Sequence, residues 1–201
     1  MASVPEATPQ ERLLRYNDGA VALHWLTALL VVAQVTVGFT FAGMERGPAR
    51  GDLFTVHKSI GATILILALV RLAWRLLHPP PPFPTELPRW ERVASVWAHR
   101  AFYLLLILLP LTGLMAVSGG AEADGRTSTP LLGGIPLPLI PGISEDAGER
   151  LGGAHELLVF ITLAILVLHV AAALKHQIQR HRAAGRMPPF RTPGEHPLPS
   201  P

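Results

Sequence analysis

The stretch AHELLVFITLAILVLHVAAALKH, residues 154–176, decides the fold. Between Glu156 and His169 only Thr162 is polar, and the run shows no alternation of polar and apolar residues. A helix needs about 20 such residues to cross a hydrocarbon core of roughly 30 Å. Only helices and closed barrels satisfy their peptide groups in lipid, and without a period of two this segment is a helix. His155 and His169 lie fourteen residues apart on it. That spacing is a rise of about 21 Å and almost four whole turns, so the two imidazoles share one face at two depths.

Working outward, three more apolar runs reach spanning length, near 21–43, 56–77 and 95–118, beside the one near 154–175. Hydrophobic side chains make up 49% of the 201 residues and charged ones 15%, an apolar balance that a soluble domain of this size does not normally carry. The expected fold class is all-α, an integral membrane four-helix bundle over residues 21–178. A polar segment, 1–20, precedes it, and a basic, Pro-rich tail, 179–201, follows, with disorder expected from about residue 176. Residues 1–20 lack the basic-then-apolar order of a cleaved signal peptide, so the first apolar run is expected to stay in the mature protein.

The connections differ in kind. The first, around 44–55, is short, with Gly43, Gly47, Pro48 and Gly51 as breakers. The second opens at His78 and runs through Pro79 to Pro82, Pro84 and Pro88, which favours an extended strap. The third, about 119–153, contains the apolar piece Leu131 to Ile143, broken by Pro136, Pro138 and Pro141. It is a poor spanning helix and a better cap lying on the membrane surface.

Twelve of the seventeen Lys and Arg residues fall on the side of the two termini: Arg12, Arg15, Arg71, Arg75, Arg89, Arg92, Arg100, Lys175, Arg180, Arg182, Arg186 and Arg191. Arg46, Arg50, Lys58, Arg126 and Arg150 fall on the other. This bias predicts both termini in the cytoplasm. The basic residues sit at the ends of apolar runs instead of forming an aromatic-laced surface, so membrane lipid is the expected partner and nucleic acid is not.

The chain has no cysteine, which removes disulfides, thiolate metal sites, iron–sulfur clusters and covalent haem attachment together. Histidine is then the strong metal ligand, and His24, His57, His99, His155 and His169 sit in or at the ends of the apolar runs. Ionisable groups there are costly unless they pair, line a cavity or bind something. Following the chain back and forth, His24 matches His169 in depth near the inner face and His57 matches His155 near the outer face. Opposed imidazoles at two levels suit two haems b, each iron clamped from both axial sides. The competing readings are capping histidines, which need not match in depth, and a single metal such as zinc, whose ligands would converge at one depth.

The segments Ala22-Leu23-His24-Trp25, Val56-His57-Lys58-Ser59-Ile60-Gly61, Ala98-His99 leading to Tyr103 with Leu109-Pro110-Leu111-Thr112-Gly113-Leu114, and Ala154-His155-Glu156 through Leu168-His169 to Lys175-His176 resemble the bacterial cytochrome b561 family. The resemblance covers about residues 12–178 and is strongest to its superoxide oxidase members. It implies haem ligation by His24, His57, His155 and His169, and electron passage from superoxide at the outer face to ubiquinone. Two departures from the family pattern are an outer loop without aromatic residues over 121–149 and the long Pro-rich tail.

Secondary signals surround this core. Arg71 follows His57 by fourteen residues, so it shares that face near the inner level and is a candidate partner for a haem propionate, or an arginine snorkelling to the surface. Gly38, Gly61 and Gly113 suit close approach of a macrocycle or a helix. Lys58, Arg46 and Arg150 are candidates for drawing an anion to the outer edge. His99 and His176 read as interfacial histidines, with quinone hydrogen bonding or proton uptake as the alternative. Trp25, Trp74, Trp90 and Trp97 read as interfacial anchors. Three functions compete: a superoxide:ubiquinone oxidoreductase, a haem-bearing subunit relaying electrons from a separate outer-face donor to quinone, and a transporter or scaffold whose histidines bind a metal or merely pack.

Overall fold

A computed structural model of the protein describes residues 15–121, 123–179 and 186–187. Its frame is four helices, α1 (Asp18–Ala42), α2 (Pro48–Leu77), α3 (Arg89–Ser118) and α4 (Glu145–Ile178), each long and apolar enough to cross a membrane. They end where the apolar runs end but begin earlier. Pro48 opens α2 at its first turn, where a missing N–H costs nothing. The connection expected over 44–55 therefore shrinks to the turn around Gly43 to Gly47, and Gly51 lies inside the helix. Ser144 caps α4 by accepting from the Ala147 amide, with Glu145 and Asp146 at the positive end of the helix dipole. Asn17 caps α1 and also accepts from the Trp74 indole N–H, so Trp74 braces the start of α1 instead of serving as a lipid anchor. Trp25, Trp90 and Trp97 are exposed, as anchors should be.

The helices α1 and α2 pack along each other, as do α3 and α4, while α2 and α3 join the two pairs. At the top of the second pair, Gly119 and Gly148 bring their backbones together so closely that a Cβ on either would lie 2.6 Å from the Cα of the other. Ile64 and Ala68 of α2 and Leu106 of α3 form a small buried core, flanked by Leu30, Val31, Ile60 and Ile107. In every contributing helix these residues lie between the two histidine levels. Large apolar side chains such as Leu29, Val32, Ile66, Val167 and Leu168 face outward, as lipid-facing residues should.

The third connection is a built structure. Strands β1 (Ser128–Pro130) and β2 (Pro136–Pro138) pair antiparallel around a short 3-10 turn, Leu132–Gly134. The hairpin is pinned to the bundle: Lys58 Nζ donates to Thr129 Oγ1, the Leu132 amide to Ser59 Oγ at 2.8 Å, and the Ile140 amide to Ser118 Oγ at 3.0 Å. It caps one end of the bundle, here called the hairpin end. At the opposite end, Arg186 is buried and the Tyr16 amide donates to its carbonyl oxygen at 3.1 Å. The disorder expected from about residue 176 therefore fails where α4 continues to Ile178 and again at Arg186; most of the tail, like most of segment 1–20, lies outside the described residues.

Candidate haem-binding site

Each histidine level draws on all four helices. At the hairpin end the His57 ring on α2 and the His155 ring on α4 have centroids 6.3 Å apart with planes at 77°. At the other end His24 on α1 and His169 on α4 lie 6.5 Å apart at 63°. The depth matching read from the sequence is thus met as two contacts across the bundle. Two imidazoles on opposite sides of one metal, each nitrogen about 2.0 Å from the ion and about 1.1 Å from its own ring centre, have centroids about 6.2 Å apart. Both separations fit that arrangement. Among the described residues no three His, Asp or Glu converge on a single-ion site.

The hairpin-end pair explains the Leu109 to Leu114 motif. His155 Nδ1 lies 2.9 Å from the Leu109 carbonyl oxygen and 3.3 Å from Thr112 Oγ1. A carbonyl only accepts, so Nδ1 carries the proton and Nε2 is left with a free lone pair, the tautomer that a metal ligand requires. Thr112 turns its own hydroxyl hydrogen toward the carbonyls of Leu108 and Leu109, at 2.8 and 3.0 Å. Gly113 makes the approach feasible: a Cβ there would lie 3.2 Å from Cε1 and 3.3 Å from Nδ1 of His155. On the other side, a Cβ at Gly38 would lie 3.1 Å from Cε1 of His57. The glycines therefore seat histidine rings, a more specific role than the general close approach expected of them.

His57 is held differently. Its ring meets Phe41 edge-on at 5.1 Å, and Phe41 in turn meets Phe54 at 5.3 Å. Its Nε2 lies 3.1 Å from Gln34 Nε2, while His57 Nδ1 and Gln34 Oε1 are both buried without a hydrogen-bond partner. Gly61 leaves room for that amide, since a Cβ there would lie 3.2 Å from it. Gln34 escaped sequence reasoning although it is the one amide in the apolar run 21–43, a signal of the same kind as the histidines.

At the termini end, His169 is surrounded by His24, by His99 at 5.6 Å and by Phe102 at 5.4 Å. His99 donates from Nδ1 to the Ser95 carbonyl at 2.6 Å and lies beside the pair. Arg71 lies at this level as expected, with Nη2 3.3 Å from His24 Nδ1. His176 instead pairs with Glu91, which also binds Lys175. Among the outer cations, Arg150 is engaged by Asp146 on the next turn, and Lys58 lies over the Phe54 ring while bonded to Thr129.

A membrane bundle with opposed imidazoles at two levels has the form of a haem-carrying electron-transfer protein. The chain belongs to the family described as prokaryotic cytochrome b561, whose pattern it matches over residues 15–189. It is similar to Cytochrome b561 homolog 2 of Escherichia coli (strain K12), 28% identical over 170 residues that cover 81% of this chain and 84% of that protein. It is also similar to Probable superoxide oxidase CybB of Yersinia pestis, 29% identical over 163 residues covering 81% of this chain and 88% of that one. Membership makes the protein a membrane electron carrier of the haem b type.

Proposed function

We propose that the protein is a dihaem cytochrome b that oxidises superoxide at the periplasmic face and reduces ubiquinone, with His57 and His155 holding the outer haem b and His24 and His169 the inner. The observation that carries this reading is the pair of imidazole contacts, 6.3 and 6.5 Å, at the two ends of one bundle. The name of the Yersinia pestis relative supports the choice of substrate. The excess of Lys and Arg toward the termini supports a bacterial inner-membrane orientation with both termini cytoplasmic and the hairpin periplasmic.

Bound haem b supplies a one-electron iron couple; the chain supplies ligation, orientation and electrostatics. Leu109 and Thr112 fix the His155 tautomer, Gly113 and Gly38 seat the rings, and Phe41 and Phe54 pack the His57 side with apolar surface. The apolar layer of Ile64, Ala68 and Leu106 keeps the two levels apart. Two superoxide ions each give up one electron and leave as dioxygen, and one quinone takes up both electrons and two protons. A pyridine haemochrome assay on pure protein should return two acid-acetone-extractable haems b per chain. A ratio near one, or haem that resists extraction, rejects the two-site assignment.

The competing relay reading is favoured by the exposed Leu132 and Ile135 of the hairpin, an apolar surface suited to a protein donor. The two readings divide over anion capture. Arg150 is offset by Asp146 and Arg126, which lies within electrostatic reach of Lys58, by Asp124, whereas Lys58 has no carboxylate partner among the described residues and so adds to the local positive field. Lys58→Gln should slow stopped-flow haem reduction by superoxide several-fold and flatten its salt dependence, with both haems retained, whereas Arg150→Gln should change it by less than about twofold. A wild-type rate indifferent to ionic strength would favour the relay.

A further inference from the structure

At the termini end, Arg71, Arg75 and Arg186 are given no carboxylate partner by the fold among the described residues. Arg71 and Arg75 both lie over the ring of Tyr103, at 5.8 and 5.9 Å from its centre. Arg186, far along the chain, lies between Tyr16 at 5.4 Å and Phe83 at 4.7 Å, and donates from Nη2 to the Pro81 carbonyl at 2.5 Å. The three belong to one electrostatic cluster: Arg71 is within reach of Arg75 and Tyr16, and Arg186 within reach of the same two residues. Arg186 is only 8% exposed, its Nε is buried with no hydrogen-bond partner, and burial pulls its pKa below the ordinary guanidinium value. A guanidinium does not shed its proton in proteins, so the remaining relief is an anion.

A second observation points to what kind. A guanidinium only donates, so the Arg71 contact requires His24 Nδ1 to accept, with the ring proton on Nε2. Ligation through Nε2 requires the opposite tautomer, in which Nδ1 carries the proton and repels Arg71. Arg71 then needs another acceptor close to the inner level. Planar, bidentate carboxylates are the acceptors that guanidinium forks match best.

Building on the haem assignment above, we propose that Arg71, Arg75 and Arg186 form a carboxylate site for the propionates of the haem held by His24 and His169, with Arg186 closing it from the C-terminal side. Arg186 thus ties the tail to cofactor retention. It is a positioning residue that reaches the macrocycle's charged edge and leaves the iron to the histidines.

The test uses the full-length holoprotein, with Arg186→Gln and Arg186→Lys. Two quantities are read: haem transfer to excess apomyoglobin, and a potentiometric titration that resolves both haems. Arg186→Gln should release one of the two haems about tenfold faster, since a charge-assisted hydrogen bond is lost. That haem should be the one removed by His24→Ala, and its midpoint potential should fall, because taking away a cation favours the ferric state. Arg186→Lys should restore the potential and only part of the retention, since an ammonium keeps the charge but not the fork. If Arg186→Gln accumulates poorly, Arg75→Gln should give the same one-haem pattern. Equal acceleration for both haems would assign Arg186 to folding alone and overturn the proposal, as would unchanged release and potentials. Loss of a co-purifying acidic phospholipid with haem retention unaltered would overturn it in favour of a lipid headgroup. A wild type with fewer than two haems, or a His24→Ala variant that keeps both, would instead reject the underlying haem assignment.

Discussion

His57→Ala should strip one haem from the protein and leave the other in place, halving the haem-to-protein ratio, and His24→Ala should do the same for the opposite site. The two ligand pairs share no residue, and the buried layer of Ile64, Ala68 and Leu106 separates them. If the assignment holds, removing one imidazole would leave a single histidine, His155 or His169, to hold the haem, so any haem that remains should turn from a low-spin to a high-spin spectrum. Haem content and the reduced-minus-oxidised spectrum, measured on detergent-purified variants, check both statements. If either variant loses both haems, the levels fold as one unit. If either keeps full content with an unaltered spectrum, the assigned pairing is wrong. The electron path offers a sharper form of the same test. With the outer site gone, superoxide should no longer reduce the remaining inner haem at the wild-type rate, whereas with the inner site gone the outer haem should still be reduced by superoxide and should fail to pass electrons to quinone.

The pairing of these four histidines was legible because two simple quantities fix it, the rise per residue of a helix and the direction in which each apolar run crosses the membrane. Helix ends were legible on the C-terminal side, where Gly43, His78 and Gly119 follow the apolar runs directly. Helix starts were not. Hydropathy stops counting at Arg89-Trp90-Glu91-Arg92 or Glu145-Asp146, yet these polar turns continue the same helices into the aqueous boundary. The hairpin was read as a surface cap from its prolines, but its pairing depends on Ser59, Ser118 and Lys58, which are distant in sequence. Gln34 carries no charge and so does not stand out among the ionisable groups, although an amide buried in lipid is costly for the same reason. Arg186 was hidden by composition. A tail rich in Pro and Arg has no periodic pattern, and its one buried anchor is recognisable only once Tyr16, Pro81 and Phe83 are seen around it.

Gly113→Leu should abolish the outer haem while leaving the inner one, an effect comparable to removing a ligand although no ligand is touched. The motif Leu109 to Gly113 lets the His155 ring lie against the α3 backbone and donate from Nδ1 to the Leu109 carbonyl. A Cβ at Gly113 would already sit 3.2 Å from Cε1 of that ring, tighter than ordinary contact but within what a shift of a few tenths of an ångström relieves. Gly113→Ala should therefore keep the haem with a small change in its spectrum. The further carbons of leucine have no such relief, because they would occupy the space of the imidazole itself and force its side chain to another rotamer. The ring then loses both the Leu109 and the Thr112 contacts, and with them the tautomer that leaves Nε2 free. Thr112→Val isolates the smaller part of this effect: it keeps the shape and the Leu109 carbonyl but removes the second acceptor, so it should retain both haems and shift only the outer potential. Pyridine haemochrome content and redox titration of the three variants form one graded series. Full haem content in Gly113→Leu, or equal loss in Thr112→Val and Gly113→Leu, would show that His155 is not seated by this stretch of α3.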